Sequence, residues 1–148
     1  MEPLKISVYV IRDGVRGEAI TNSEATARAF ADEACADREM LYAFYLDSRN
    51  QLIEKRLEGL GTVDFAVVSP REIVKAALML SASRVILVHN HPSGDPMPSA
   101  HDAAITNQIE KALDLFDMKL LDHVIVGARV NGRQRWLSIT GKGPGGEF

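Results

Sequence analysis

Residues 85–102, VILVHNHPSGDPMPSAHD, constrain this chain more than any other stretch. An apolar run of strand character leads into two histidines one residue apart, halts at Pro92 and resumes as a helix start carrying an acid. Alternate side chains of a strand share a face, so His89 and His91 line up with Val85 and Leu87, their backbones about 6.5 Å apart. Both imidazoles can then reach one ion. Pro92 cannot donate to a sheet ladder, and Ser93-Gly94-Asp95-Pro96 is turn-forming, so the chain leaves the sheet just after the second histidine. Ser99 stands where a helix N-cap belongs, with Asp102 three residues on, which puts a hydroxyl and a carboxylate together at the amino end of that helix. Two nitrogens and one oxygen with a fourth position open is what a catalytic zinc asks for.

Around this stretch the periodicity predicts an α/β frame. Residues 4–11 alternate as a first strand, and a helix follows over about 22–36, capped by Thr21 with Glu24 and striped by Ala27, Phe30, Ala31 and Ala34. Residues 39–47, EMLYAFYLD, read as an aromatic-rich strand, turning at Ser48-Arg49-Asn50 into a partner over about 51–58. Gly59 and Gly61 break that pattern before a short strand at 63–68. Ser69-Pro70-Arg71-Glu72 combines an N-cap serine, a proline at the first helical position and a glutamate able to close a capping box. Ile73, Ala76, Ala77 and Leu80 stripe the helix that follows. Another helix covers about 99–116, with Ile105, Ile109, Ala112, Leu113 and Phe116 inward, and strands at about 119–127 and 136–139 close the series. Helices interspersed with strands imply one three-layer domain over 1–140 with a central mixed sheet, and a flexible tail at 141–148. In such sheets ligands gather at the carboxyl ends of strands, where His89 and His91 fall.

Composition excludes several classes. With 17 basic and 20 acidic residues the chain carries a formal charge of −3, which denies it the positive field of a dedicated nucleic-acid binder. Arg129, Arg133, Arg135 and Lys142 form a local basic group that reads as a solvated strand and tail. A lone cysteine, Cys35, rules out an internal disulfide framework and a multi-cysteine zinc site. The N-terminus lacks a secretory pattern and no apolar run approaches the roughly 18 residues of a membrane span, so a cytoplasmic protein with no membrane role is expected.

Zinc held by His89, His91 and Asp102 would make hydroxide from water at neutral pH. Amide hydrolysis then needs a base, for which Glu39, Glu54 and Glu58 are the candidates, and an oxyanion donor, for which Ser99 is placed. Ser99 has an equally good structural role as an N-cap. His101 would point about 100° away from Asp102 on the helix, toward the rim. His123 reads as structural or as a hydrogen-bonding support to a metal ligand. The letters His-Asn-His do not make an HNH nuclease, whose residues are dispersed over a longer ββα element.

His89-x-His91, seven residues, Ser99, two residues, Asp102 matches the H-x-H-x7-S-x2-D signature of the JAMM (MPN+) metalloproteases. With PREIVKAAL upstream and LLDHVIVG downstream, the string HNHPSGDPMPSAHD resembles the bacterial RadC-like branch, from about Glu39 to Gly127. The resemblance implies a JAB/MPN fold, related to the cytidine-deaminase-like architecture, and one zinc ion per chain on His89, His91 and Asp102. It also implies Ser99 as oxyanion helper and Glu39 as base. The activity implied is that of a zinc-dependent metallopeptidase or isopeptidase acting on a peptide or isopeptide, with a ubiquitin-like protein as a partner class. A non-catalytic DNA repair or recombination accessory role is the alternative, and a metal-dependent nuclease a weaker one. Longer family members carry a helix-hairpin-helix region before this domain that has no counterpart here, and the ending WLSITGKGPGGEF departs from the family's Ser-Leu-Arg-Glu type. Edge strands leave room for a homodimer.

Overall fold

A computed structural model describes residues 17–31, 37–61, 66–140 and 148. Nine elements follow in chain order: α1 (Ser23–Ala29), β1 (Met40–Leu46), β2 (Leu52–Gly61), β3 (Ala66–Val67), α2 (Pro70–Met79), β4 (Arg84–Asn90), α3 (Ala100–Asp114), β5 (Lys119–Val130) and β6 (Arg133–Ser138). The strands form one mixed sheet in the order β3-β2-β1-β4-β5-β6, in which only the β4–β5 pair is parallel. That pair needs a crossover, and α3 supplies it.

The central strand β4 explains the layering. From Val85 to Asn90 every residue is buried, which requires cover on both faces of the sheet. Val85 and Leu87 join Ile73, Ala77, Ile105, Ile109 and Leu113 in a core beneath α2 and α3. Ile86 and Val88 join Ala27, Phe30, Phe44 and Val124 in a second core beneath α1. The result is the three-layer α/β arrangement expected, with the carboxyl end of β4 as the place where the strand's tight cover gives way to a turn.

Local chemistry differs from expectation at several elements. The N-cap of α1 is Asn22, whose side-chain oxygen accepts from the Ala25 N–H at 2.8 Å, and not Thr21. An Asn in extended conformation is as good a cap as Thr and sits one residue nearer the helix. Ser69 precedes Pro70 as predicted, but its side chain makes no cap hydrogen bond, so the predicted capping box does not form there. Gly59 and Gly61 lie within β2, held by pairing of Gly59 with Leu41 and by the Gly61 N–H donating to the Glu39 carbonyl at 2.9 Å. Cross-strand pairing thus overrides the weak strand preference of glycine. Phe116 falls beyond α3 and is 51% exposed, because the helix closes at Leu115 and the chain turns through a left-handed Asp117 (φ 56°). The strand expected to end near 127 continues to Val130 and forms a hairpin with β6. Phe148, in the stretch read as tail, donates its N–H to the Thr21 carbonyl and packs on the α1-side core. The strand predicted at 4–11, Cys35, the distal part of the first helix and Lys142 lie outside the described residues. Among those described, no helix is long and apolar enough to cross a membrane.

Candidate metal centre

Three elements converge at the carboxyl end of β4. Leu41 of β1 pairs with His89, and continuing that antiparallel register sets Glu39 level with His91. α3 brings its first turn over the same point. One ligand-type atom from each of Glu39, His89, His91 and Asp102 lies within 4.8 Å of all the others. His89 Nε2 is 2.9 Å from His91 Nε2, 3.3 Å from Asp102 Oδ1 and 3.6 Å from Glu39 Oε1, while His91 Nε2 is 3.3 Å from Asp102 Oδ2. Glu39, His89 and Asp102 are buried and His91 is half-buried, which makes it the side open to solvent.

The turn after β4 holds His91 in place. Its N–H donates to the Val126 carbonyl, its own carbonyl accepts from the Gly94 N–H, and the Gly94 carbonyl accepts from Ala128. A β-carbon on Gly127 would collide with that Gly94 carbonyl oxygen, so the close approach of turn to β5 requires glycine. Gly94 has φ +87°, the conformation that closes the Pro92-Ser93 turn. The ring's Nδ1 is 2.9 Å from the Asp95 carbonyl oxygen. A carbonyl only accepts, so Nδ1 carries the proton and neutral His91 presents a bare Nε2 to the cluster.

Ser99 and Asp102 form a full capping box: Ser99 Oγ accepts from the Asp102 N–H at 3.0 Å, and Asp102 Oδ2 accepts from the Ser99 N–H at 2.8 Å. Asp102 therefore caps the helix and faces both histidines at once. Burial pushes its carboxyl up, but the adjacent His89 and His91 rings, with the hydrogen bond from the Ser99 N–H, outweigh this and hold it well below the ordinary carboxylate range. The hydrogen bond with Asp102 raises His91 above its usual value against the opposing effect of burial. A proton on His91 is the charge that balances the site when nothing else does.

The rival bases are elsewhere. Glu58 accepts from the Tyr45 hydroxyl at 2.8 Å and Glu54 is exposed opposite Tyr45, at the far end of β1 from the cluster. His101 is exposed, as its angle from Asp102 predicts. Arg129, Arg133 and Arg135 are exposed on the β5–β6 hairpin.

Sequence reasoning passed over Asn90. Asn90, fully buried between the two histidines, accepts from the Met40 N–H at 2.8 Å and donates to the Arg38 carbonyl at 3.0 Å. Those two groups flank Glu39, so Asn90 clamps the backbone on either side of it. The only sequence signal is an amide inside an otherwise apolar strand.

Sheet order, helical cover and this cluster together define a JAB/MPN-type α/β domain with a site able to bind a metal ion. Residues 20–143 match the RadC-like JAB domain, and the chain belongs to that family. It is 45% identical over 114 residues to a UPF0758 protein of Vibrio cholerae, covering 76% of this chain and 73% of that one. A UPF0758 protein of Marinomonas is 51% identical over 126 residues, 84% of this chain and 56% of its own length. One of Xanthomonas campestris is 40% identical over 120 residues, 80% of this chain and 53% of its own. The chain thus spans about half the length of several curated relatives.

Proposed function

We propose that this domain is a zinc-dependent metallopeptidase or isopeptidase that hydrolyses an amide bond, with His89, His91 and Asp102 as the metal ligands. The observation that carries the reading is the convergence of two imidazole nitrogens and two carboxylates in one largely buried cluster. The donor chemistry fits. Four electron-rich groups are drawn together, neutral His91 turns its one proton away from them, and such a cluster is costly unless a cation sits within it, either a second proton on His91 or a metal ion. Imidazole and carboxylate donors, three in number with an open position, suit catalytic zinc. A bound zinc supplies water acidified from a pKa of 15.7 toward about 7.

The remaining roles belong to the chain. Glu39, buried and clamped through Asn90, takes the proton of the attacking water and returns it to the departing amine. Ser99 spends a lone pair on the helix cap and keeps its hydroxyl proton, which it donates to the oxyanion as that charge develops. Half-buried His91 leaves an approach for an extended peptide or isopeptide. A ubiquitin-like modifier is the partner class that follows from the family resemblance. No specific observation favours a DNA accessory role, and among the described residues the cluster is the one group of its kind, without the second carboxylate site common in phosphodiester cleavage.

Native mass spectrometry on wild type and Asp102→Ala tests the centre: one zinc in wild type and none in the variant is expected. A wild-type protein that takes up no metal after zinc addition would overturn the reading. With an isopeptide substrate in hand, Glu39→Gln should keep zinc and lose cleavage; undiminished turnover would remove Glu39 from the role of base.

A further inference from the structure

We propose that Thr106 and His123 form a buried relay that decides which nitrogen of His89 faces the metal, an inference resting on the metal-centre reading above. Three contacts carry it. Thr106 Oγ1 lies 2.6 Å from the Asp102 carbonyl oxygen and 2.6 Å from His123 Nδ1, and His123 Nε2 lies 2.6 Å from His89 Nδ1. Protons can be assigned along this chain in one direction only. The Asp102 carbonyl cannot donate, so the Thr106 hydroxyl gives it its single proton. Thr106 then offers only lone pairs to His123, whose Nδ1 must carry the hydrogen. A neutral imidazole has one, so His123 Nε2 is bare and accepts from His89 Nδ1. His89 Nε2 is left as a lone pair directed at Glu39, His91 and Asp102.

His123 is fully buried, and its neighbour Asp122 is engaged on the opposite side of β5 by Ser23, Ser138 and Thr140. Among the described residues no carboxylate hydrogen-bonds to the His123 ring. The relay starts at the backbone of Asp102 and ends at the imidazole facing the same residue's carboxylate, at 3.3 Å. Helix α3 thus sets both partners of the site, one directly and one through Thr106 and His123. Metal-bound histidines commonly donate their distal N–H to a carboxylate, carbonyl or water. Here the acceptor is a neutral imidazole, which orients His89 without adding negative charge. His123 and Thr106 are positioning residues.

Two measurements test this. Long-range 1H–15N NMR of the metal-free wild type identifies the protonated ring nitrogens: Nδ1 is expected for both His89 and His123, and a proton on His123 Nε2 overturns the relay. This outcome does not depend on whether zinc binds. Second, Thr106→Val removes the hydroxyl at constant shape, freeing the His123 proton to move to Nε2 and forcing the His89 proton into the cluster. Zn2+ affinity, read by competition with a chromophoric chelator, should fall on the order of 10–100-fold, and Thr106→Ser should restore it. A folded Thr106→Val that binds Zn2+ as wild type does refutes the relay while leaving the metal centre standing. Failure of wild type itself to bind Zn2+ strikes the metal reading, and the NMR assignment then still decides the relay.

Discussion

Asp102 caps α3 and faces both histidines, and the two duties can be separated by a pair of variants. Ser99→Ala removes the oxygen that accepts from the Asp102 N–H and leaves the carboxylate in place. Loss of such a cap costs about 1 kcal/mol. For a chain of 148 residues this is a fall of about 2–4 °C in the Tm of the metal-free protein. Asp102→Asn does the reverse: its side-chain oxygen can still accept from the Ser99 N–H, but the negative charge shared with His89 and His91 is gone. Metal at 100 times its Kd stabilises the folded state by about 2.7 kcal/mol, equivalent to a Tm rise of about 5–10 °C. Differential scanning calorimetry with and without zinc should therefore show Ser99→Ala starting lower yet keeping the full zinc-induced rise. Asp102→Asn should start near wild type and lose that rise. Equal loss in both variants would mean that the capping box, not the carboxylate charge, governs binding, and a full rise in Asp102→Asn would remove Asp102 from the ligand set.

Further outcomes follow from neighbouring contacts. Gly127→Ala should push the Gly94 turn off β5, lowering both Tm and zinc affinity; an unchanged affinity would show that the turn does not position His91. Asn90→Leu leaves the Met40 N–H and Arg38 carbonyl without their partner, at about 1–3 kcal/mol per buried group, and should reduce cleavage while zinc stoichiometry stays at one. Loss of zinc instead would place Asn90 in support of the histidines. Because the pKa of His91 is raised in the folded protein, its protonation stabilises the metal-free fold fully below about 6.5, and that contribution disappears as pH climbs through the raised value. Zinc must displace this proton, so affinity should increase with pH over the same interval, and calorimetry near pH 6.5 in buffers of different ionisation enthalpy should detect proton release. Heats independent of buffer would contradict it.

The proposed ligands were legible in the sequence because their spacing is local. A strand ending in His-x-His, a turn, and a serine-capped helix with Asp at its third position are all short-range patterns, and α3 begins where they put it. The proposed base was undecided on spacing because its place depends on pairing: the register of Leu41 with His89 brings Glu39 to the cluster, while Glu54 and Glu58 lie on β2, across β1 from β4. His123 was harder still. An irregularity in the β4–β5 pairing, with Val85 opposite Leu120 but Ile86 opposite Asp122, leaves Leu121 as an extra residue. Simple alternation counted from Leu120 would therefore turn His123 away from His89. Thr106, a polar residue on the buried side of α3, reads as a flaw in the stripe until the opposite strand is in place.

The pleat of β4 divides its labour: His89 faces α3, while Asn90, between the two histidines, grips the start of β1. Side chains alternate with period two, so sliding β1 against β4 by one residue would turn Glu39 to the other face of the sheet while His89, His91 and Asp102, carried by β4 and α3, stayed together. On the proposed reading a slipped sheet would keep its three ligands and lose its base. Cleavage, rather than metal uptake, would then be the gauge of folding fidelity, reporting whether the two innermost strands have met in their correct register.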